Sequence, residues 1–167
     1  SFKETSDNFQ KELNRVYLLA SGLDKYLEEN TTSEPSLLAS LSQETRKFDW
    51  ETDRGKHDVF LEAEMLSGHV EGQFLKTLVS ATKSKNILEI GMFTGYSAIS
   101  MARGLPDDGE LIACEIDAEA AAIAEKSILS AGLEKKIKII IGPAMDTLKK
   151  ISKRNLTFDF IFVDADK

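Results

Sequence analysis

Four short stretches of this chain combine residue types that could do chemistry. The first is Gly91-Met92-Phe93-Thr94-Gly95-Tyr96-Ser97, which follows an apolar run containing Glu89. Its glycines permit a tight turn and a close backbone approach to a ligand. The second is Glu115, at the end of the next apolar run. A carboxylate there can accept two hydrogen bonds from a ribose diol, as in nucleoside-binding α/β folds. Beside it, Ile116 offers an apolar wall for an adenine ring, and the third stretch, Gly142-Pro143-Ala144, offers small residues and backbone polar groups for the ring's edge. The fourth is Asp164-Ala165-Asp166-Lys167, where two carboxylates one residue apart can give oxygen ligands to a hard divalent cation. Mg²⁺ prefers six oxygens at ~2.1 Å, so Asp164 needs further ligands that this chain does not obviously contain.

Each feature has a plainer reading. Asp and Glu near helix N-termini commonly act as caps or dipole partners, so Glu115, Asp117 and Asp164 fit that role equally well, and Ile116 fits the core. The glycine stretch lacks the G-x-G-x-x-G spacing of dinucleotide sites, because Phe93 stands where the second glycine would let a pyrophosphate approach. A diphosphate is not favoured. Tyr96 and Phe93 either border a ligand or pack between a strand and its helix. His57 and His69 form no metal spacing with each other or with Cys114. The pairs Lys135-Lys136 and Lys149-Lys150 read as solvated helix-end charges.

The elements that must position these residues follow from periodicity. From Asn8 to Glu29, the residues Phe9, Leu13, Val16, Tyr17, Ala20, Leu23 and Leu27 recur at helical spacing, which predicts an amphipathic helix with one buried stripe. Asn30 to Pro35 is rich in turn formers, a second helix runs through Leu37, Leu38 and Leu41, and Phe48 to His57 reads as a loop. A third helix is expected from Glu64 to Ala81, weakened in its first turns by Gly68 and Gly72. Strands then alternate with helices: Asn86 to Gly91, Glu110 to Glu115, Lys136 to Ile141 and Phe158 to Asp164 as strands, with helices over Gly95 to Arg103, Ala118 to Ala131 and Pro143 to Ser152. This alternation predicts a doubly wound, Rossmann-like α/β sheet of parallel strands. Residues 1–63 read as an N-terminal helical extension and 64–167 as the ligand-binding α/β domain. The last strand is apolar on both faces, as in a central parallel strand. It would need a neighbour on each edge, so further strands are expected after Lys167.

Composition narrows the partners. The chain is 42% hydrophobic and 29% charged, as in a soluble globular protein. A net charge of -7 argues against a surface that tracks nucleic-acid phosphates. A small-molecule partner is expected, with no nucleic acid and no membrane, and a homodimer stays open. The single cysteine, Cys114, rules out an internal disulfide and a thiolate metal site. With no apolar run near the ~20 residues of a membrane span and no secretory signal, a cytoplasmic location is the simplest expectation.

Taken together, these residues resemble the caffeoyl-CoA and catechol O-methyltransferases, the cation-dependent class of S-adenosylmethionine enzymes. The resemblance spans about Glu64 to Lys167 and rests on five ordered pieces. These are Glu71-Gly72-Gln73-Phe74-Leu75, Leu88-Glu89-Ile90-Gly91 with Thr94-Gly95-Tyr96-Ser97, Pro106-Asp107-Asp108-Gly109, Gly142-Pro143-Ala144, and Phe158 through Lys167. It implies that Ser67, Glu89, Gly91, Met92, Ser97 and Asp166 surround the methionine portion and backbone of the cofactor. Glu115 would hold the ribose, Ala144 would lie at the adenine, and Asp164 would be the first ligand of a divalent cation, Mg²⁺ above others. Lys167 follows at the place of a general base, so Asp164 and Lys167 are the expected catalytic pair. Ser67 departs from the threonine common in plant relatives, a change a backbone contact would survive.

The runs Ala20 to Leu27 and Glu64 to Gln73 look closest to the branch that methylates demethyl-4-deoxygadusol in mycosporine-like amino acid synthesis, and catechol-like acceptors stay open. The reaction implied is in-line attack of a small acceptor's hydroxyl on the sulfonium methyl group. Two other readings compete: an NAD(P)-dependent oxidoreductase on the same kind of sheet, and a non-catalytic nucleoside-binding protein.

Overall fold

The computed structural model describes residues 2–50, 61–154 and 156–165. They fall into two compact units, Ser1–Ser33 and Glu34–Lys167. The first unit is one helix, α1 (Phe2–Asn30). It forms where the apolar spacing predicts, but the stripe is not buried: Phe9, Leu13, Val16 and Tyr17 are all exposed. Periodicity specifies which side chains share a face and says nothing of what covers that face.

The second unit opens with α2 (Ser36–Lys47) and, after a 3₁₀ turn at Ala63–Met65, continues through α3 (His69–Thr82), β1 (Asn86–Ile90), α4 (Tyr96–Ala102) and β2 (Glu110–Glu115). It ends with α5 (Ala118–Ser130), β3 (Ile137–Ile141), α6 (Ala144–Ser152) and β4 (Phe160–Val163). The expected helix from Glu64 to Ala81 is therefore broken. Leu66 is extended, Gly68 forms the N-cap with ψ 174°, and α3 starts only at His69. Gly72 has a different task from weakening the helix. A Cβ there would sit 2.6 Å from Ser100 Oγ and 2.7 Å from Tyr96 Cε1, so its absence lets α3 lie directly on α4.

The strands form one four-stranded parallel sheet in the order β3-β2-β1-β4. Residues paired across it, such as Ile87, Leu111, Ile137 and Phe160, point to one face and pack with α2 to α5 in the main core. The opposite face carries Leu88, Ile112 and Cys114, packed with Ile151 of α6. Strand β4 occupies an edge of the sheet among the described residues. Phe160 and Phe162 join the core, whereas Ile161 and Val163 are 57% and 64% exposed, because α6 packs farther across, over Leu88 and Ile112. The strand is also shorter than expected at its start. Asp159 accepts the backbone N–H groups of Lys85 (2.8 Å) and Asn86 (2.9 Å) on its side chain and donates its own N–H to the Asn86 carbonyl (2.8 Å), so it anchors the entrance to β1 just before β4 begins.

The chain leaves β1 toward β2 and β3 on one side and returns to the other side as β4. In open α/β sheets, such a reversal of strand order opens a crevice at the carboxyl ends of the strands. None of the described helices is long and apolar enough to cross a membrane.

Candidate functional site

The loop after β1 is built from its own backbone outward. Gly91 and Met92 both donate their N–H groups to the Cys114 carbonyl of β2, at 3.0 and 3.2 Å, and Gly95 donates to Met92 at 3.1 Å. Gly91 has φ +90°, and a Cβ there would meet Ala165 N at 2.7 Å and the Asp164 carbonyl carbon at 2.8 Å. The end of β4 thus packs directly against this glycine, which also lines the cavity described below. Phe93 adopts φ +52°, the left-handed region, although it carries a side chain. Such a conformation costs roughly 1–2 kcal/mol. Here it aims the Phe93 N–H at Glu115 Oε2, 2.6 Å away.

Glu115 is consequently held from both sides. Its other oxygen, Oε1, accepts from Ile116 N (2.8 Å) and Asp117 N (2.9 Å). Burial holds its carboxyl above the ordinary range, with these backbone N–H groups working in the opposite direction. Asp117 is the helix cap: its side chain accepts from Glu119 N and Ala120 N at the start of α5. That division of labour settles the two acids, with Asp117 capping and Glu115 facing inward. Ile116 is half-exposed and not core.

Glu89, at the heart of β1, is fully buried and accepts a short hydrogen bond from Ser97 at the start of α4. Among the described residues, its second oxygen has no partner. Burial, helped by the neighbouring charges of Asp164 and Glu115 and opposed by the Ser97 bond, pushes its carboxyl up to about 8.

These groups surround one cavity of about 580 Å³, within the ~300–1,000 Å³ of small-molecule sites. Of the residues expected from the sequence, Ser67, Gly91, Met92, Ser97, Glu115, Ala144 and Asp164 line it. Glu89 does not line it but stands behind Ser97. Asp166, Lys167 and His57 lie outside the described residues. Phe93, Tyr96, Ile116, Gly142 and Pro143 also face the cavity. Met65 and Leu66 add an apolar wall that the sequence concealed, because they read there as part of a helix.

At the mouth, Asp164 ends β4, its N–H bonded to the Ile90 carbonyl at 2.9 Å. Burial holds its carboxyl above the ordinary range. The Glu71 carboxyl is also raised, by burial and then by Asp164. Glu71 was visible in the sequence only as part of the Glu71-Gly72-Gln73 piece of the resemblance. No group of three or more His, Cys, Asp or Glu among the described residues could hold a metal ion.

Residues 28–167 match the family described as O-methyltransferase. Caffeoyl-CoA O-methyltransferase 1 of Nicotiana tabacum is 35% identical over 98% of this chain, and the chain spans 65% of that relative's length. A catechol O-methyltransferase of Niastella koreensis is 46% identical over 58% of this chain and 44% of its own length. Among solved structures, the O-methyltransferase TomG from Streptomyces achromogenes, in complex with SAM, superposes with a TM-score of 0.74 at 30% identity, covering 87% of this chain and 60% of that one. The parallel sheet, its strand order and the sequence match agree: this chain belongs to the O-methyltransferase family.

Proposed function

We propose that the protein binds S-adenosylmethionine in the cavity at the carboxyl ends of β1, β2 and β3 and transfers its methyl group to a hydroxyl of a small acceptor. The observation that carries this reading is the cavity's acidic and phosphate-averse wall. The N–H groups of residues 91, 92, 93 and 95 are already bonded within the protein, to Cys114, Glu115 and Met92, so the loop has few donors to spare for a diphosphate. Glu115 and Asp164 on the wall, with Glu89 behind Ser97, instead favour a cationic ligand with hydroxyl donors. S-adenosylmethionine matches this, with a sulfonium, an ammonium and a ribose diol. A second sign of fit lies behind Ser97, where a positive charge in the cavity would favour the ionised form of the buried Glu89 carboxyl.

When bound, S-adenosylmethionine supplies an electrophilic methyl group. Glu115 accepts a hydrogen bond from the ribose, for which one place remains, since its two oxygens have about four acceptor positions and three are filled. Ile116, Ala144 and Pro143 enclose the adenine. Glu89, acting with Ser97, balances the positive charge of the methionine portion, joined by Ser67, Gly91, Met92 and, from the sequence, Asp166. Catalysis then rests on holding two reactants in line rather than on a covalent intermediate. The acceptor sits at Asp164, with Lys167 as the proton acceptor. Dependence on a divalent cation and an acceptor with adjacent oxygens, catechol-like or demethyl-4-deoxygadusol, are part of the proposal and rest on the resemblance.

Calorimetry with S-adenosylmethionine tests the cofactor reading. Glu115→Ala is expected to weaken binding about 10- to 100-fold, the worth of a charged hydrogen bond of ~1.5–3 kcal/mol. Equal affinity of variant and wild type would remove the ribose assignment. Asp164→Ala should spare most cofactor affinity and abolish transfer. Methyl transfer that survives exhaustive chelation would refute the cation dependence.

A further inference from the structure

The segment from Glu34 to Trp50 grips the loop after β1 at three points. Thr45, in the last turn of α2, shares a buried hydrogen bond of 2.8 Å with Thr94, both side chains being wholly enclosed. Its backbone carbonyl accepts the indole N–H of Trp50 at 2.9 Å. The Trp50 ring in turn packs on Phe93, with centroids 4.8 Å apart, and is backed by Phe48 at 4.4 Å. A third tie lies just beyond, where the Tyr96 hydroxyl donates to Glu34 at 2.6 Å. Phe93, Thr94 and Tyr96 are close neighbours in one loop, and each is held by a residue between Glu34 and Trp50.

The grip falls where the loop is strained. Phe93 holds a left-handed conformation that persists only when its surroundings over-determine it. Two things determine it here: the N–H bond to Glu115 on one side and the ring contact with Trp50 on the other. Without Trp50, the Phe93 ring has an open side, and relaxation of the backbone would carry the N–H away from Glu115. One of the three bonds that orient this carboxylate would then be lost.

We propose that Trp50 and Thr45 are positioning residues for the cofactor: without touching the cavity, they lock the Phe93-Thr94 turn so that Phe93 N–H fixes the Glu115 carboxylate in its ligand-accepting orientation. This inference rests on the cofactor reading given above. It also gives the residues before α3 a part in binding a ligand that they do not contact.

The test is calorimetric titration of S-adenosylhomocysteine into the wild type, Thr45→Val, Trp50→Leu and Trp50→Phe, each below its own melting temperature. Thr45→Val and Trp50→Leu are expected to raise Kd about 3- to 30-fold, the range for packed side chains that act on a site they do not contact. Trp50→Phe keeps a ring against Phe93 and should recover most of the lost affinity, a rescue that a general loss of stability would not show. A second readout is the Trp50 emission, taken as the difference between wild type and Trp50→Phe. It should change on titration and saturate at the calorimetric Kd. If Thr45→Val and Trp50→Leu both bind within twofold of wild type, the inference is wrong. Should either variant fail to fold, a Trp50 emission that does not respond to ligand overturns it equally. A wild type that does not bind S-adenosylhomocysteine at all would defeat the cofactor reading itself, which separates the two failures.

Discussion

Glu89 is enclosed in the sheet, and its carboxyl is pushed up to about 8 from an ordinary 4.5, chiefly by burial. Between those values the folded chain holds a proton that the unfolded chain has released. Stability contributed by this group is therefore full below the ordinary value and declines as pH rises through the window toward about 8. Urea denaturation across that range should show this slope, and Glu89→Gln should flatten it; an unchanged slope would mean that other groups control the pH dependence. A cationic ligand favours the ionised form, so its binding should release a proton below that pH, measurable by calorimetry in buffers of different ionisation enthalpy. Gly91→Ala is expected to cost roughly 1–3 kcal/mol, because a left-handed residue acquires a Cβ against the end of β4. The resemblance named Glu89 and Ser97 separately, and only the folded loop shows that they touch. Gly91 was legible as a glycine that something must approach, but not that the approaching group is Ala165.

Helix α5 begins at Asp117, whose carboxylate accepts two of the helix's first N–H groups. Asp117→Ala should destabilise the protein by about 1 kcal/mol in a urea titration. It should leave Glu115 oriented, since Asp117 gives Glu115 a backbone N–H that the substitution keeps. The alternation of β1 through β4 with α4 through α6 was readable because each element carries its own period and its own punctuation. Failures came where an element depends on a partner. The helix expected from Glu64 breaks at Leu66 to Gly68 because this stretch turns to line the cavity. Strand β4 begins later than expected, at Phe160, and Asp159 before it ties the chain to the start of β1 through both side chain and backbone. The bracing of the cofactor loop by Thr45 and Trp50 left no local trace, since the hydrogen-bonded pair stands 49 residues apart.

Over the whole molecule, parallel pairing was predictable from the strand-helix rhythm, whereas the order β3-β2-β1-β4 is a property of the assembled sheet and creates the crevice. A ligand seated there stabilises the fold by mass action. S-adenosylhomocysteine at ~100 times its Kd should add about 2.7 kcal/mol, seen as a raised Tm, and NAD should add nothing. Cys114 offers a way to follow the same equilibrium in time. This lone cysteine sits in β2 between Glu89 and Glu115, with its thiol buried and pushed up by that burial. The reactive thiolate is scarce while the sheet is intact, so alkylation is slow even though Cys114 borders the cavity. Its labelling rate then becomes a clock for access to the empty cavity, and ligand at ~100 times its Kd should slow that clock about a hundredfold, in proportion to the unliganded fraction that remains.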